Sequence, residues 1–283
     1  VLLKTVNDGE RTNQDISQRY YVIHENERES ALVRLMEEQS PEKTMVFCRT
    51  RLEVDELTSV LSARGYQAKS LHGDMEQPMR NKVMKGFRES HFDLLVATDV
   101  AARGLDVLDV SHVFNFHMPF DSKSYIHRIG RTGRAGRKGV AITLVTPREY
   151  RQIGRIQQHT GTVMEAGQVP RLAQLRRSRI ARLTEDLASA KLVPEALEMT
   201  KALEEEMGVE ELACRLVSLI LADQQEGGPD RIGLSPEDLK HLKKQGGGRG
   251  GRHGGGGRHG GGGRHGGGGR GRQGGGGGGG KFK

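Results

Sequence analysis

Between residues 20 and 158, short apolar runs alternate with segments whose apolar residues recur every three or four positions. The runs at 20–23, 44–48, 68–71, 94–97, 112–115 and 141–145 are four or five residues long and mostly β-branched, aromatic or aliphatic. Near-continuous apolarity over that length predicts strands covered on both faces. The segments 27–38, 52–63, 78–88, 122–129 and 148–159 carry the helical period instead. Thr50 is placed to cap the second of these, Pro78 suits the first turn of the third, and Gly65 stands where a helix-ending glycine is expected. Strand–helix alternation of this kind predicts an α/β fold, with a mostly parallel sheet flanked by helices. Such sheets bind ligands beyond the carboxyl ends of their strands, which directs the search for chemistry.

After Pro170 the strands stop. Segments 171–190, 194–207 and 210–224 read as three helices, separated by Val193-Pro194 and by Gly208. The first places Arg171, Arg176, Arg177, Arg179 and Arg182 beside an apolar face of Leu172, Leu175, Ile180, Leu183 and Leu187. Ser235 and Asp238 have capping-box spacing, so a short helix starts there. From Gly246 onward almost nothing is apolar, and Arg-His-Gly-Gly-Gly-Gly repeats from Arg252, Arg258 and Arg264. That composition buries too little surface to offset the entropy of ordering it, which predicts a disordered tail. The expected organisation is a linker (1–16), an α/β domain (17–169), a small α-helical extension (170–226), a second linker with a short helix (227–245) and the tail (246–283).

Charge sharpens this division. The chain carries 44 lysines and arginines against 36 acids, a net charge of +8. The tail holds Arg249, Arg252, Arg258, Arg264, Arg270, Arg272, Lys281 and Lys283 and no acid, so the remainder is formally neutral. A polyanionic partner for the tail follows from this, rather than a uniformly basic surface. Cys48 and Cys214 form no metal-ligand spacing and no disulfide framework, and tail histidines spaced six apart match no usual metal geometry. No signal peptide and no long apolar stretch is present, so a cytoplasmic protein with no membrane partner is expected. Val1 in place of an initiating Met suggests a fragment.

Two segments carry chemistry. In Tyr125-Ile126-His127-Arg128-Ile129-Gly130-Arg131-Thr132-Gly133-Arg134-Ala135-Gly136, arginines separated by glycines follow a short helix. Glycine lets the backbone approach a phosphate, and guanidinium groups neutralise charge on a transferring phosphoryl group. A basic loop that binds some other anion fits the same residues. Leu95-Val96-Ala97-Thr98-Asp99-Val100-Ala101-Ala102-Arg103-Gly104-Leu105-Asp106 leaves a buried strand through a polar loop. Thr98 offers a hydroxyl to a phosphate there, and Asp106 a carboxylate to ribose hydroxyls. Asp99 fits a turn or cap equally well.

These two segments resemble motifs V and VI of superfamily 2 helicases in the form found in DEAD-box proteins. Val46-Phe47-Cys48-Arg49-Thr50 resembles motif IV, and Leu71-His72-Gly73-Asp74-Met75-Glu76-Gln77-Pro78-Met79-Arg80 resembles the segment that follows it. All four occur in family order across roughly residues 18–170. The resemblance implies a RecA-like domain, the C-terminal half of a bacterial ATP-dependent RNA helicase. It implies that Arg131 and Arg134 are arginine fingers reaching ATP, with Gly104 and Asp106 at the nucleotide. It makes His127 a bridge to the N-terminal RecA-like domain of the same protein, with Arg128 supporting that interface. Arg80 and Thr98 would hold RNA phosphates, with Gly73 and Thr50 lining the same strand. ATP and Mg²⁺ would be bound mainly by the N-terminal domain, whose P-loop and Asp-Glu-Ala-Asp motif do not occur in this sequence. The 283 residues alone are therefore expected to be inactive as an ATPase. Two alternatives stay open: a stand-alone RNA-binding or annealing protein, and a DNA helicase of the same superfamily.

The helical extension fits either a homodimer through residues 170–226, as in similar bacterial helicases, or a cap on its own core. The tail resembles Arg-Gly-rich RNA-binding segments but holds only Phe282 for stacking, so electrostatic tethering of RNA is the expectation.

Overall fold

β2 (Thr44–Cys48) and β4 (Leu94–Thr98) are buried at every position, which sets both inside a sheet covered on its two faces. The computed structural model describes residues 15–102, 110–134, 136–204, 206–222 and 228–246. Its seven strands also include β1 (Ile16–Val22), β3 (Ala68–Leu71), β5 (His112–Asn115), β6 (Gly139–Val145) and β7 (Glu165–Gly167). They lie in the order β3-β4-β2-β5-β6-β1-β7, and every pairing is parallel. This is the expected α/β class.

Alternation along each strand sends neighbours to opposite faces. On one face Val46, Cys48, Val96, Phe114 and Ile142 pack under α1 (Arg28–Gln39) and α2 (Arg51–Ala63). On the other, Met45, Phe47 and Leu95 meet Met84 and Phe87 of α3 (Gln77–Arg88) and Ala101 and Ala102 of α4 (Asp99–Ala102). Further along that face Tyr20, Val22 and Ala141 meet Tyr125 and Ile129 of α5 (Ser122–Ile129) and Ile153 and Ile156 of α6 (Tyr150–Thr160). Thr50 caps α2 as expected: its hydroxyl accepts from Glu53 N at 3.2 Å, while Glu53 Oε2 accepts from Thr50 N at 3.0 Å.

Three features differ from the sequence reading. β1 begins at Ile16, four residues before the apolar run, because Gln18 is buried: it accepts a hydrogen bond from the Tyr125 hydroxyl at 2.8 Å. β7 is too short and too exposed to leave an apolar signature. The polar loop after β4 opens with the single helical turn of α4.

The extension comprises α7 (Leu172–Ser189), α8 (Pro194–Glu204) and α9 (Val209–Ala222), and α10 (Pro236–Gly246) follows it. Arg34 of α1 is buried and pins both ends of the extension. It donates to the carbonyls of Pro229 (2.6 Å), Asp230 (3.0 Å) and Pro170 (3.5 Å). From there residues 228–242 return to the α/β core: Ile232 joins the α1 face, Leu239 the α5–α6 face, and Leu234 N donates to Val22 O at 2.9 Å. α7 is tied to α1 by Arg179, which donates to Glu37 Oε1 at 2.5 Å. By contrast Leu192, Met199, Leu216 and Leu219 on and around α8 and α9 are exposed. The chain divides after Gly246; residues 1–14 of the expected linker (1–16) and residues 247–283 of the expected tail (246–283) lie outside the described residues, and Ile16, expected in the linker, already belongs to β1.

Candidate functional site

α5 is eight residues long and is capped by Asp121, whose carboxylate accepts from Ser124 N at 2.7 Å. Its spacing buries Tyr125, Arg128 and Ile129 and leaves His127 exposed to solvent. Arg128 is only 2% exposed, and each of its three guanidinium nitrogens finds a partner inside the domain. Nε and Nη2 reach the two oxygens of Asp99 at 2.5 and 2.8 Å, a bidentate pair. Nη1 reaches Asn115 Oδ1 at 3.2 Å and the His117 carbonyl at 3.0 Å, and the guanidinium lies 5.2 Å from the Phe47 ring centre. Asn115 in turn donates to Thr143 Oγ1 at 3.0 Å. Arg128 thus ties α5 to α4 and to the ends of β2 and β5.

The arginine loop is held as tightly as the helix before it. Thr132 Oγ1 donates to the Val110 carbonyl and to that of Ser111 at 3.0 Å, and Val110 N donates to Arg131 O at 3.1 Å. Gly133 takes a left-handed conformation, φ +67°. A Cβ on Gly139 would lie 2.5 Å from Gly133 N, so only glycine lets β6 start this close to the loop. Arg134 is anchored by Nε on the Gly130 carbonyl at 2.6 Å, and its terminal nitrogens have no partner among the described residues. Arg131 is half-buried; burial, and the neighbouring Arg134 after it, pull its pKa below the usual arginine value. The two guanidinium groups are thus close enough on one loop for Arg131 to feel the charge of Arg134. With His127, Arg128, Asp99 and Phe47, Arg131 lines a shallow hollow.

The other predicted residues fall elsewhere. Thr50, Gly73 and Thr98 follow or end β2, β3 and β4, three adjacent strands, so they form a row at their carboxyl ends. Thr50 and Gly73 are exposed, and a Cβ on Gly73 would meet nothing within 4 Å, so packing does not demand glycine there. Arg80 on α3 reaches the Ala101 carbonyl at 3.3 Å, while its Nε is buried with no partner among the described residues. The predicted row therefore lies at the carboxyl ends of its strands, whereas the arginine loop is bonded to Val110 and Ser111 just before β5 begins. Gly104 and Asp106 lie outside the described residues. Among the described residues no cluster suited to a metal ion occurs, and no helix is long and apolar enough to cross a membrane.

Sequence reasoning missed Asn115 and left Asp99 undecided. The available signal was a polar side chain at or just past the end of a buried strand, a place where burial requires a partner.

A second charged cluster sits at the carboxyl ends of β1, β5 and β6. Buried Arg28 donates to the Phe116 carbonyl at 2.6 Å and to Glu149 at 2.8 Å, and Arg49 pairs with the same Glu149 at 2.9 Å. His117 Nε2 lies 2.8 Å from Glu53, yet burial, Arg28 and Arg49 together hold its pKa below the usual histidine value. Because the folded pKa is the lower one, the unfolded chain takes up the proton first. His117 therefore contributes stability above about pH 6.5 that is lost on acidification. The carboxylates Glu25 and Glu149 have lowered pKa values, so their contributions persist to lower pH. Urea unfolding should show stability falling between about pH 7 and pH 5, with a shallower slope in His117→Gln. An unchanged slope would remove His117 from this role.

The fold and the arginine loop define a RecA-like domain of helicase type. The family described as the helicase conserved C-terminal domain matches residues 27–136. The DEAD-box ATP-dependent RNA helicase RhpA of Helicobacter pylori is 42% identical over 232 residues, which is 82% of this chain and 45% of RhpA. The E. coli DEAD-box protein SrmB, solved bound to regulator of ribonuclease activity A, superposes with a TM-score of 0.51 at 42% identity over 55% of this chain and 92% of the SrmB chain. S. cerevisiae Dbp5, solved bound to RNA and ADP BeF3, superposes with a TM-score of 0.52 at 33% identity over 55% of this chain and 42% of that one. The chain belongs to the DEAD-box proteins, as their C-terminal RecA-like domain with a helical extension. It spans half or less of the length of the curated relatives it matches.

Proposed function

We propose that this chain is the C-terminal half of an ATP-dependent RNA helicase that remodels RNA duplexes in the cytoplasm. The observation that carries the reading is the placement of Arg131 and Arg134 on one loop that is bonded to Val110 and Ser111 and closed against Gly139. Bound ATP with its Mg²⁺ would supply the phosphoryl group to be transferred. Arg131 and Arg134 would compensate charge developing on it, and Gly104 and Asp106 would contact the nucleotide. Exposed His127 would meet the N-terminal RecA-like domain. Arg128, with its donors committed internally, would serve that interface by fixing α5.

RNA phosphates would lie along the row of Thr50, Gly73 and Thr98, with Arg80 beside it; exposed Gly73 leaves room for a close backbone approach. The tail's arginines would add a tether that weakens with salt. The exposed apolar side chains of α8 and α9 favour a homodimer through the extension.

The test uses the complete protein. RNA, and not DNA, should stimulate ATP hydrolysis and strand separation, and the complete protein should sediment as a dimer. The 283 residues alone should do neither reaction. Equal stimulation by DNA would favour a DNA helicase. ATP-independent annealing by the 283 residues, unchanged in Arg131→Ala, would favour the stand-alone RNA-binding reading.

A further inference from the structure

β3 ends the sheet on one side, so among the described residues no strand lies beside its outer edge. Alternate N–H and C=O groups on such an edge point outward and want partners. A groove of about 800 Å³ runs along this edge between the end of α2 and one face of α3. That face presents Met79, Lys82, Val83 and Gly86, at helical spacing, and Met79 is 52% exposed. Lys69 of β3 and Lys85 of α3 add two more cations to the lining, against Glu89 as its one acid. Lys85 stands 3.9 Å from Glu89, whereas Lys69 and Lys82 make no ion pair among the described residues.

The groove therefore offers three things together: an open hydrogen-bonding edge, an apolar wall and unneutralised positive charge. We propose that it receives an extended acidic segment of a partner protein, which adds to β3 as a further strand. Lys69 on the edge repels a second copy of this same edge, so self-pairing is disfavoured while an acidic strand is welcomed. An RNA strand would satisfy the lysines but not the outward backbone groups of β3 or the apolar wall of exposed Met79 and partly buried Val83. The occupant would sit against α3, the helix that also carries Arg80, and so would be held next to the expected RNA path. The inference does not depend on the nucleotide chemistry of the arginine loop.

The probe is a fluorescein-labelled peptide of alternating glutamate and valine, titrated by anisotropy against the full 283-residue chain. Binding should saturate, slow hydrogen exchange at the β3 amides, and weaken about tenfold or more in the Lys69→Glu, Lys82→Glu double variant. Both proteins keep the basic tail, so tail binding is common to them. A peptide of equal charge with proline at alternate positions cannot pair with a strand and should retain only that tail component. Equal binding of the proline peptide, or indifference to the double variant, would overturn the proposal. So would an oligouridylate that protects the same β3 amides and loses its binding in the double variant, because the groove would then be a nucleic-acid surface.

Discussion

Arg131→Ala in the complete protein should lower RNA-stimulated ATP hydrolysis about a thousandfold while leaving nucleotide-free RNA binding within about twofold. The separation follows from geometry. Arg131 belongs to a loop bonded beside the start of β5, whereas the row proposed for RNA, Thr50, Gly73 and Thr98, lies at the carboxyl ends of β2, β3 and β4. Arg131→Lys should recover only part of the loss. Lysine restores the charge but not the planar fork that spans two phosphate oxygens. A fall in ATPase of only a few fold would show that the loop binds an anion without acting on the transferring group.

The strands and helices were legible because both faces of the sheet are covered. A core of that kind writes near-continuous apolar runs into the sequence, and β2 and β4 matched theirs to within a residue. What stayed hidden was held by polar contacts between residues far apart in the chain. Gln18 extends β1 through the Tyr125 hydroxyl, 107 residues away, and Arg34 closes the extension on Pro229, 195 residues away. Periodicity has no access to such pairs. The same holds at the site. The arginine motif pointed to a phosphate or another anion, but its position beside Val110 depends on Thr132 and on the absence of a Cβ at Gly139. Neither residue stands out by composition.

Asp99 is where the site's stability and its geometry meet. Its partner Arg128 has a side chain only 3% exposed, whereas Asp99 is 27% exposed. Asp99→Ala therefore leaves a buried guanidinium without its counter-charge, and the fold should lose about 3 kcal/mol, read from the urea midpoint at unchanged slope. Asp99→Asn keeps an acceptor for one of the two bonds but no charge, so its loss should be smaller. Adding Arg128→Met to Asp99→Ala should restore part of the stability, because no orphaned charge then remains and methionine packs against Phe47. Activity should not follow stability back. Arg128 fixes the helix that delivers Arg131 three residues later, with Arg131 N donating to the Arg128 carbonyl at 3.1 Å. The double variant should thus be well folded yet deficient in ATP hydrolysis, with RNA binding retained. Full recovery of activity together with stability would mean that the loop holds its position without the Asp99–Arg128 pair.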